Sequence, residues 1–254
     1  MAMGKNKLQK FKDLEEFPHV FQLRYSDIID GKEFAQKGNW QAFFCNDHPI
    51  VLELGCGRGE YTIGLAEKFP EKNFIGIDMK GARLWTGAKA AMNQQLSNVA
   101  FVRTNIELLP HFFAADEVSE IWLTFPDPQM KKRNKRLTST RMMEYYQQVL
   151  RPDGSVHLKT DSAFLFTYTK AMAELNKLPI VTELEDVDLV ATSGHILAIR
   201  TYYEQQWMAR SIAIKYLHFL LRRSDQWCEP DILIPLDEYR SYGRSKRSSL
   251  HLTV

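Results

Sequence analysis

Short apolar runs alternate with amphipathic stretches through the middle of the chain. Ile50–Leu54, Asn73–Ile77, Val99–Arg103, Glu120–Phe125 and Ser155–Lys159 are runs of strand length with the character of buried parallel strands. Between them, Tyr61–Phe69, the Ala-rich Arg83–Leu96, Ser139–Leu150 and a stretch opened by Asp161 and Ser162 and reaching Lys177 predict helices. Strand and helix in this alternation imply βαβ units and an α/β fold, with a mostly parallel sheet covered by helices on both faces. The last third changes character. Ile180–Val190 and His195–Arg200 read as two strands with no helix between them, and Glu204–Arg223 reads as a helix.

Three regions follow. Residues 1–45 form a basic and aromatic extension (Lys5, Lys7, Lys10, Phe11, Lys12), residues 46–223 carry the α/β pattern, and residues 224–254 are a polar stretch that reads as a partly mobile tail. The N-terminal lysines have no apolar run behind them, so no secretory leader is expected. No stretch approaches the ~18 apolar residues of a membrane span.

Charge changes the picture only when it is located. Lys plus Arg is 33 and Asp plus Glu is 31, for a formal net charge of +2, which excludes a globally basic, histone-like binder. Yet five of the six residues from Lys131 to Arg136 are basic, immediately after Phe125-Pro126-Asp127-Pro128. The two prolines fix φ around Asp127 and set one carboxylate at the carboxyl end of a central strand, where open sheets bind their ligands. A basic run abutting that edge suits a polyanion. The segment lacks the apolar face that a membrane surface requires. Cys45, Cys56 and Cys228 form no C-x-x-C pair and the histidines show no metal spacing, so reduced thiols in a cytoplasmic protein without a metal are expected.

The first strand runs into Glu53-Leu54-Gly55-Cys56-Gly57-Arg58-Gly59. Glycines let backbone approach a ligand closely, and the loop opens a helix. The dinucleotide fingerprint G-x-G-x-x-G is not met, and Glu60 stands where a pyrophosphate would lie, which disfavours a nicotinamide oxidoreductase. A cationic ligand without a pyrophosphate, such as S-adenosylmethionine (SAM), fits better. Glu53 favours its positive end, Asp78 closes the second strand where a carboxylate accepts from ribose hydroxyls, and Asn105 lies where the adenine edge is expected.

These motifs, with His157-Leu158-Lys159-Thr160-Asp161 and Thr201-Tyr202-Tyr203-Glu204 following in order, resemble the bacterial tRNA (guanine-N7)-methyltransferase family of the TrmB type over roughly residues 45 to 210. The resemblance implies a Rossmann-like, class I SAM-dependent methyltransferase fold with a seven-stranded sheet. It implies methyl transfer to N7 of a guanine in the tRNA variable loop, position 46. It places Glu53, Gly55, Gly57, Gly59, Asp78, Asn105 and Asp127 at the cofactor, with Asp127 as the catalytic candidate. It places Lys131, Lys132, Arg133, Asp161, Thr201, Tyr202, Tyr203 and Glu204 at the substrate, in a monomer or homodimer. This chain has Gln129-Met130 where the family usually has Trp-Pro, and Asn105 where it often has an acid.

Most of these residues also have a structural reading. Thr201 and Glu204 form a capping-box pattern, Asp161 can cap a helix, and Phe125 and His157 read as packed core residues. The rival functions are a SAM methyltransferase of another RNA, a protein or a small molecule, and a non-catalytic RNA-binding protein that kept the fold.

Overall fold

The computed structural model describes residues 2–23, 25–192 and 195–240. The basic residues Arg244, Lys246 and Arg247 of the C-terminal stretch lie outside the described residues, as do the side chains of Lys5 and Arg240.

The chain begins with α1 (Ala2–Glu16), β1 (Val20–Gln22), α2 (Tyr25–Ile29) and α3 (Trp40–Phe44). The alternating core follows as β2 (Ile50–Leu54), α4 (Glu60–Lys68), β3 (Asn73–Ile77), α5 (Gly81–Asn93), β4 (Val99–Arg103), α6 (Leu109–Phe112), β5 (Val118–Thr124), α7 (Thr140–Tyr146), β6 (Leu150–Thr160) and α8 (Ala163–Leu175). It closes with β7 (Ile180–Leu184), α9 (Tyr202–Met208) and β8 (Lys215–Leu221).

All strands among the described residues join one sheet in the order β1-β4-β3-β2-β5-β6-β8-β7. The strands from β1 to β6 pair in parallel, whereas β8 is antiparallel to both β6 and β7. The chain steps outward from β2 through β3 and β4, then returns to its other side with β5. This reversal opens a crevice at the carboxyl ends of β2 and β5.

Every residue of β2 and β3 is buried, as strands covered on both faces require. One core contains Leu52, Leu54, Ile77, Leu123 and Leu158 with Trp40 of α3, Tyr146 of α7 and Tyr168 of α8. The other contains Val51, Phe101, Trp122 and Tyr216 with Leu14 of α1, Tyr61 of α4 and Leu84 of α5. The N-terminal extension is built into this body: β1 pairs with β4, and the Trp40 indole donates to the Phe112 carbonyl at 3.1 Å.

The sheet has eight strands, where seven were expected; the addition is the three-residue β1, too short to announce itself. His195–Arg200 is not a strand but contains a single tight turn at Ile196–Ala198. The expected helix Glu204–Arg223 is a short α9 followed by β8. Its apolar content is compatible with either period, and pairing with β6 on one side and β7 on the other decides for the strand. The Arg151–Gly154 turn becomes an irregularity within a longer β6, with Asp153 at φ +54°. The helix expected to reach Leu150 stops at Tyr146, and the strand expected to reach Val190 stops at Leu184.

From Ser224 the described chain forms no further strand or α-helix up to a single tight turn at Glu238–Arg240, and it docks on the body at several points. Glu229 accepts from the backbone N–H and hydroxyl of Thr140 at the start of α7, and Asp237 accepts from the Phe164 N–H at the start of α8.

Gly87 of α5 faces the glycine loop so closely that a Cβ there would lie 2.8 Å from the Arg58 carbonyl and 2.9 Å from the Gly59 Cα. Both obstacles are backbone and cannot rotate away. Gly87→Ala is therefore expected to lower the unfolding free energy by about 1–3 kcal/mol in a urea titration.

Candidate functional site

The loop between β2 and α4 bends tightly. Gly55, Gly57 and Gly59 have φ of +78°, +57° and +69°, values that side-chain-bearing residues rarely adopt. The amides of Gly55 and Cys56 both donate to the Ile77 carbonyl, at 2.8 and 3.0 Å, so the loop hangs from the end of β3. Asp78 completes the tie: one carboxylate oxygen accepts from the Gly57 N–H at 2.9 Å, the other from the Lys80 N–H at 2.7 Å.

Glu53 lies beneath the loop and is buried. Oε2 accepts from the Thr62 N–H at 2.8 Å and from the Thr62 hydroxyl at 2.5 Å, and Oε1 accepts from the Thr124 hydroxyl at 2.5 Å. Burial pushes its carboxyl up to about 7, with the three donors acting in the opposite direction.

Gly55, Asp78, Asn105 and Asp127 line one cavity of about 410 Å³, shared with Lys80, Glu107 and Lys135. Its size suits a small-molecule ligand. A Cβ added at Gly55 or Gly57 would meet nothing closer than 3.8 Å, so bare backbone is presented there with space to spare. A floor of open glycine backbone, walls carrying three carboxylates and the Asn105 amide fit a cationic nucleoside such as SAM. Glu53, Gly57 and Gly59 do not line this cavity: Glu53 braces the loop from below, the Gly57 N–H is taken by Asp78, and Gly59 packs against Phe101 and Gly87. A larger hollow of about 900 Å³ adjoins it across Met79, Thr104 and Asn105, beside α1.

Asp127 stands on a rigid turn. Pro126 and Pro128 are buried while Asp127 is exposed, and Phe125 and Gln129 take φ of +51° and +46°. Left-handed backbone at two non-glycine residues is strained, and such strain concentrates at functional loops. The Asp127 carboxylate accepts from the Gln129 N–H at 3.1 Å.

The basic run divides. Lys131, Lys132, Arg133 and Lys135 are exposed. Arg136 is buried, donates to the carbonyls of Gln129 and Met130, and stacks over Tyr168 at 4.3 Å and Phe164 at 4.7 Å. It is a pillar of the loop and does not present its charge to a ligand.

The remaining candidates divide likewise. Tyr202 and Tyr203 are exposed, with Arg58 over the Tyr202 ring at 4.5 Å. The Tyr202 N–H donates to Glu60 at 3.0 Å, which joins α9 to the start of α4. Thr201 and Glu204 are buried in a full capping box. Glu204 also pairs with the buried Lys159 at 2.7 Å and with Arg200 at 2.5 Å. Lys159 donates further to the carbonyls of Leu197 and Ile199, at 2.9 and 3.0 Å. Burial lowers its pKa to about 8, with Glu204 pulling the other way. Asp161 is buried as well, its Oδ2 accepting from the Tyr239 hydroxyl at 2.7 Å. The structure thus brings Asp127 and Lys135 to the cavity, leaves Lys131, Lys132, Arg133, Tyr202 and Tyr203 exposed on neighbouring loops, and turns Asp161, Thr201 and Glu204 inward.

Sequence reasoning missed Lys159, Arg200 and Tyr239. A lysine inside an apolar strand was the one available signal. His157 is a packed core residue, stacked between Trp122 and His218 at 4.1 and 4.2 Å, and burial holds its pKa well below the ordinary value. Among the described residues no group of three His, Cys, Asp or Glu side chains is arranged to hold a metal ion, and no helix is long and apolar enough to cross a membrane.

Residues 47–217 match a family model described as a putative methyltransferase. The tRNA (guanine-N(7)-)-methyltransferase of Bacteroides thetaiotaomicron is 59% identical over 249 residues, covering 98% of each chain. That of Porphyromonas gingivalis is 58% identical over 240 residues, covering 92% of this chain and 98% of its own. Among solved structures, the 16S rRNA methyltransferase KamB shares the fold at 15% identity and a TM-score of 0.59, covering 75% of this chain and 95% of its own. With its glycine loop, its proline-flanked Asp127 and this degree of identity along nearly the whole length, the chain belongs to the tRNA (guanine-N(7)-)-methyltransferase family.

Proposed function

We propose that the protein transfers a methyl group from SAM to N7 of a guanine in tRNA, forming 7-methylguanosine, and that the guanine is position 46 of the variable loop. The observation that carries this reading is the apposition of one exposed, rigid carboxylate, Asp127, to the glycine-loop cavity, with Lys131, Lys132, Arg133 and Lys135 exposed in the loop that follows it. The three free cysteines suit the reducing cytoplasm.

SAM supplies a methyl group activated by a positively charged sulfur. Guanine N7 carries a lone pair and no proton, so the new C–N bond forms as the S–C bond breaks, and the base acquires the positive charge. No proton must be removed from N7, and the protein's task is placement and charge stabilisation. Asp127 accepts hydrogen bonds from guanine N1–H and the exocyclic amine and offsets the charge developing on the ring. Asp78 would hold the ribose hydroxyls of SAM, and Asn105 would meet its adenine edge. The target base has to leave its stack before it reaches this cavity, and the exposed rings of Tyr202 and Tyr203 offer it a surface. The outward lysines and Arg133 hold the RNA backbone.

The direct test incubates the protein with labelled SAM and bulk tRNA, then maps 7-methylguanosine by borohydride and aniline cleavage. Cleavage at the variable loop is expected; its absence would reject the reading. In the same assay Asp127→Asn is expected to retain SAM binding and to lose turnover by roughly 10²–10³-fold. Replacing Lys131, Lys132 and Lys135 together by Ala should reduce the slope of log affinity for tRNA against log salt by about 2–3. Arg136→Ala should leave that slope in place and lower the melting temperature. Because burial raises the Glu53 carboxyl to about 7, protonation below that pH removes negative charge beneath a cationic ligand. SAM affinity measured by calorimetry should therefore weaken as pH falls through 7, and Glu53→Gln should flatten that dependence.

A further inference from the structure

The carboxyl ends of parallel strands fix the roots of the site loops but not their tips. Three loops frame the crevice: the basic loop after β5, the Asp161 turn after β6, and the segment 196–208 that carries Tyr202 and Tyr203. All three are met by a few residues of the docked C-terminal segment. The Asp237 N–H donates to the Met130 sulfur at 3.3 Å, in the basic loop. The Asp237 carboxylate accepts from the Ser162 hydroxyl and from the Phe164 N–H, fastening the turn after β6. The Tyr239 hydroxyl lies 2.7 Å from Asp161 Oδ2 and 3.0 Å from the Asp161 carbonyl. The Tyr239 ring meets Trp207 of α9 edge-on at 5.4 Å.

We infer that Tyr239 is a positioning residue for the tRNA-facing loops, acting through Asp161. The inference rests on the proposed methylation of tRNA. Asp161 is only 1% exposed, so its carboxylate serves the protein's own loops and not the RNA directly. A phenol donating to a buried carboxylate is a strong, directional tie, because one partner carries a full charge and little water competes. The ring of the same residue sets the distance to α9. One side chain thereby couples the turn after β6 to the segment presenting Tyr202 and Tyr203, while its neighbour Asp237 holds the basic loop in the same frame. None of Asp161, Trp207, Asp237 or Tyr239 lines the cofactor cavity; the basic loop does border it, but that loop is reached by Asp237 and not by the Tyr239 hydroxyl.

That separation gives the test. Tyr239→Phe keeps the ring and removes the hydroxyl. It is expected to raise KM for tRNA roughly tenfold while KM for SAM stays at the wild-type value. A double-mutant cycle with Asp161→Asn should be non-additive, the double variant being no worse than the worse single one. Leu233→Ala, at a fully exposed position of the same segment, should match wild type. The inference is overturned by an unchanged KM for tRNA in Tyr239→Phe, by equal rises in both KM values, by additivity with Asp161→Asn, or by a like defect in Leu233→Ala. A lowered KM for tRNA also overturns it, since the segment would then compete with RNA. A wild-type enzyme that methylates no tRNA overturns the functional reading itself.

Discussion

The site depends on a carboxylate buried where none would be stable alone. Glu53 sits on a sheet face otherwise lined by Val51, Phe101 and Trp122, and taking its charge out of water is costly unless donors replace the lost hydration. Thr62 supplies two donors from α4 and Thr124 one from β5. The same three bonds lock β2, β5 and the start of α4 together at the point where the sheet reverses direction. The glycine loop can be backbone alone because its two ends are held by something other than its own side chains. Gly87 then lets α5 close on the loop from the other side.

A second buried charge repeats this logic two strands away. Lys159 at the end of β6 is satisfied by Glu204 and by two carbonyls of the segment 196–199, and Glu204 reaches on to Arg200. Breaking one partner of such a group leaves an uncompensated charge in the interior, which costs far more than the intact group contributes. The arrangement ties an irregular segment, with a single tight turn and a short helix, to the end of β6. Tyr202 and Tyr203 can be exposed and still be placed, because Thr201 and Glu204 on either side are anchored inside.

The chemistry drawn from this frame needs little more than placement. Asp127 is rigid for a covalent reason, the prolines that flank it, and for a packing reason, the burial of those prolines. Arg136 supports the same loop from behind by stacking on Tyr168 and Phe164. Lys131, Lys132, Arg133 and Lys135 outside, over the buried Arg136, give a near-neutral chain a basic rim beside Asp127.

The βαβ core, the glycine loop, Asp78 and the proline-flanked Asp127 were legible in the sequence because each is local: a period of two or of 3.6, or a turn residue whose backbone preference does not depend on neighbours far along the chain. The last third was not. Lys215–Leu221 has apolar content that suits either helix or strand, and β6, some sixty residues earlier, made it a strand. Arg136 looks like its neighbours in a charge run, and only two aromatic rings from α8 turn it inward. Asp161 and Glu204 are acids beside a site in sequence, yet a tyrosine from the C-terminal segment and a lysine from a strand bury them. By itself the sequence determined which segments fold into a parallel sheet and where the cofactor loop and the carboxylate fall along it. Which charges face the crevice and which hold the fold together was decided by the tertiary structure, because a charge takes its role from the partners and the water around it.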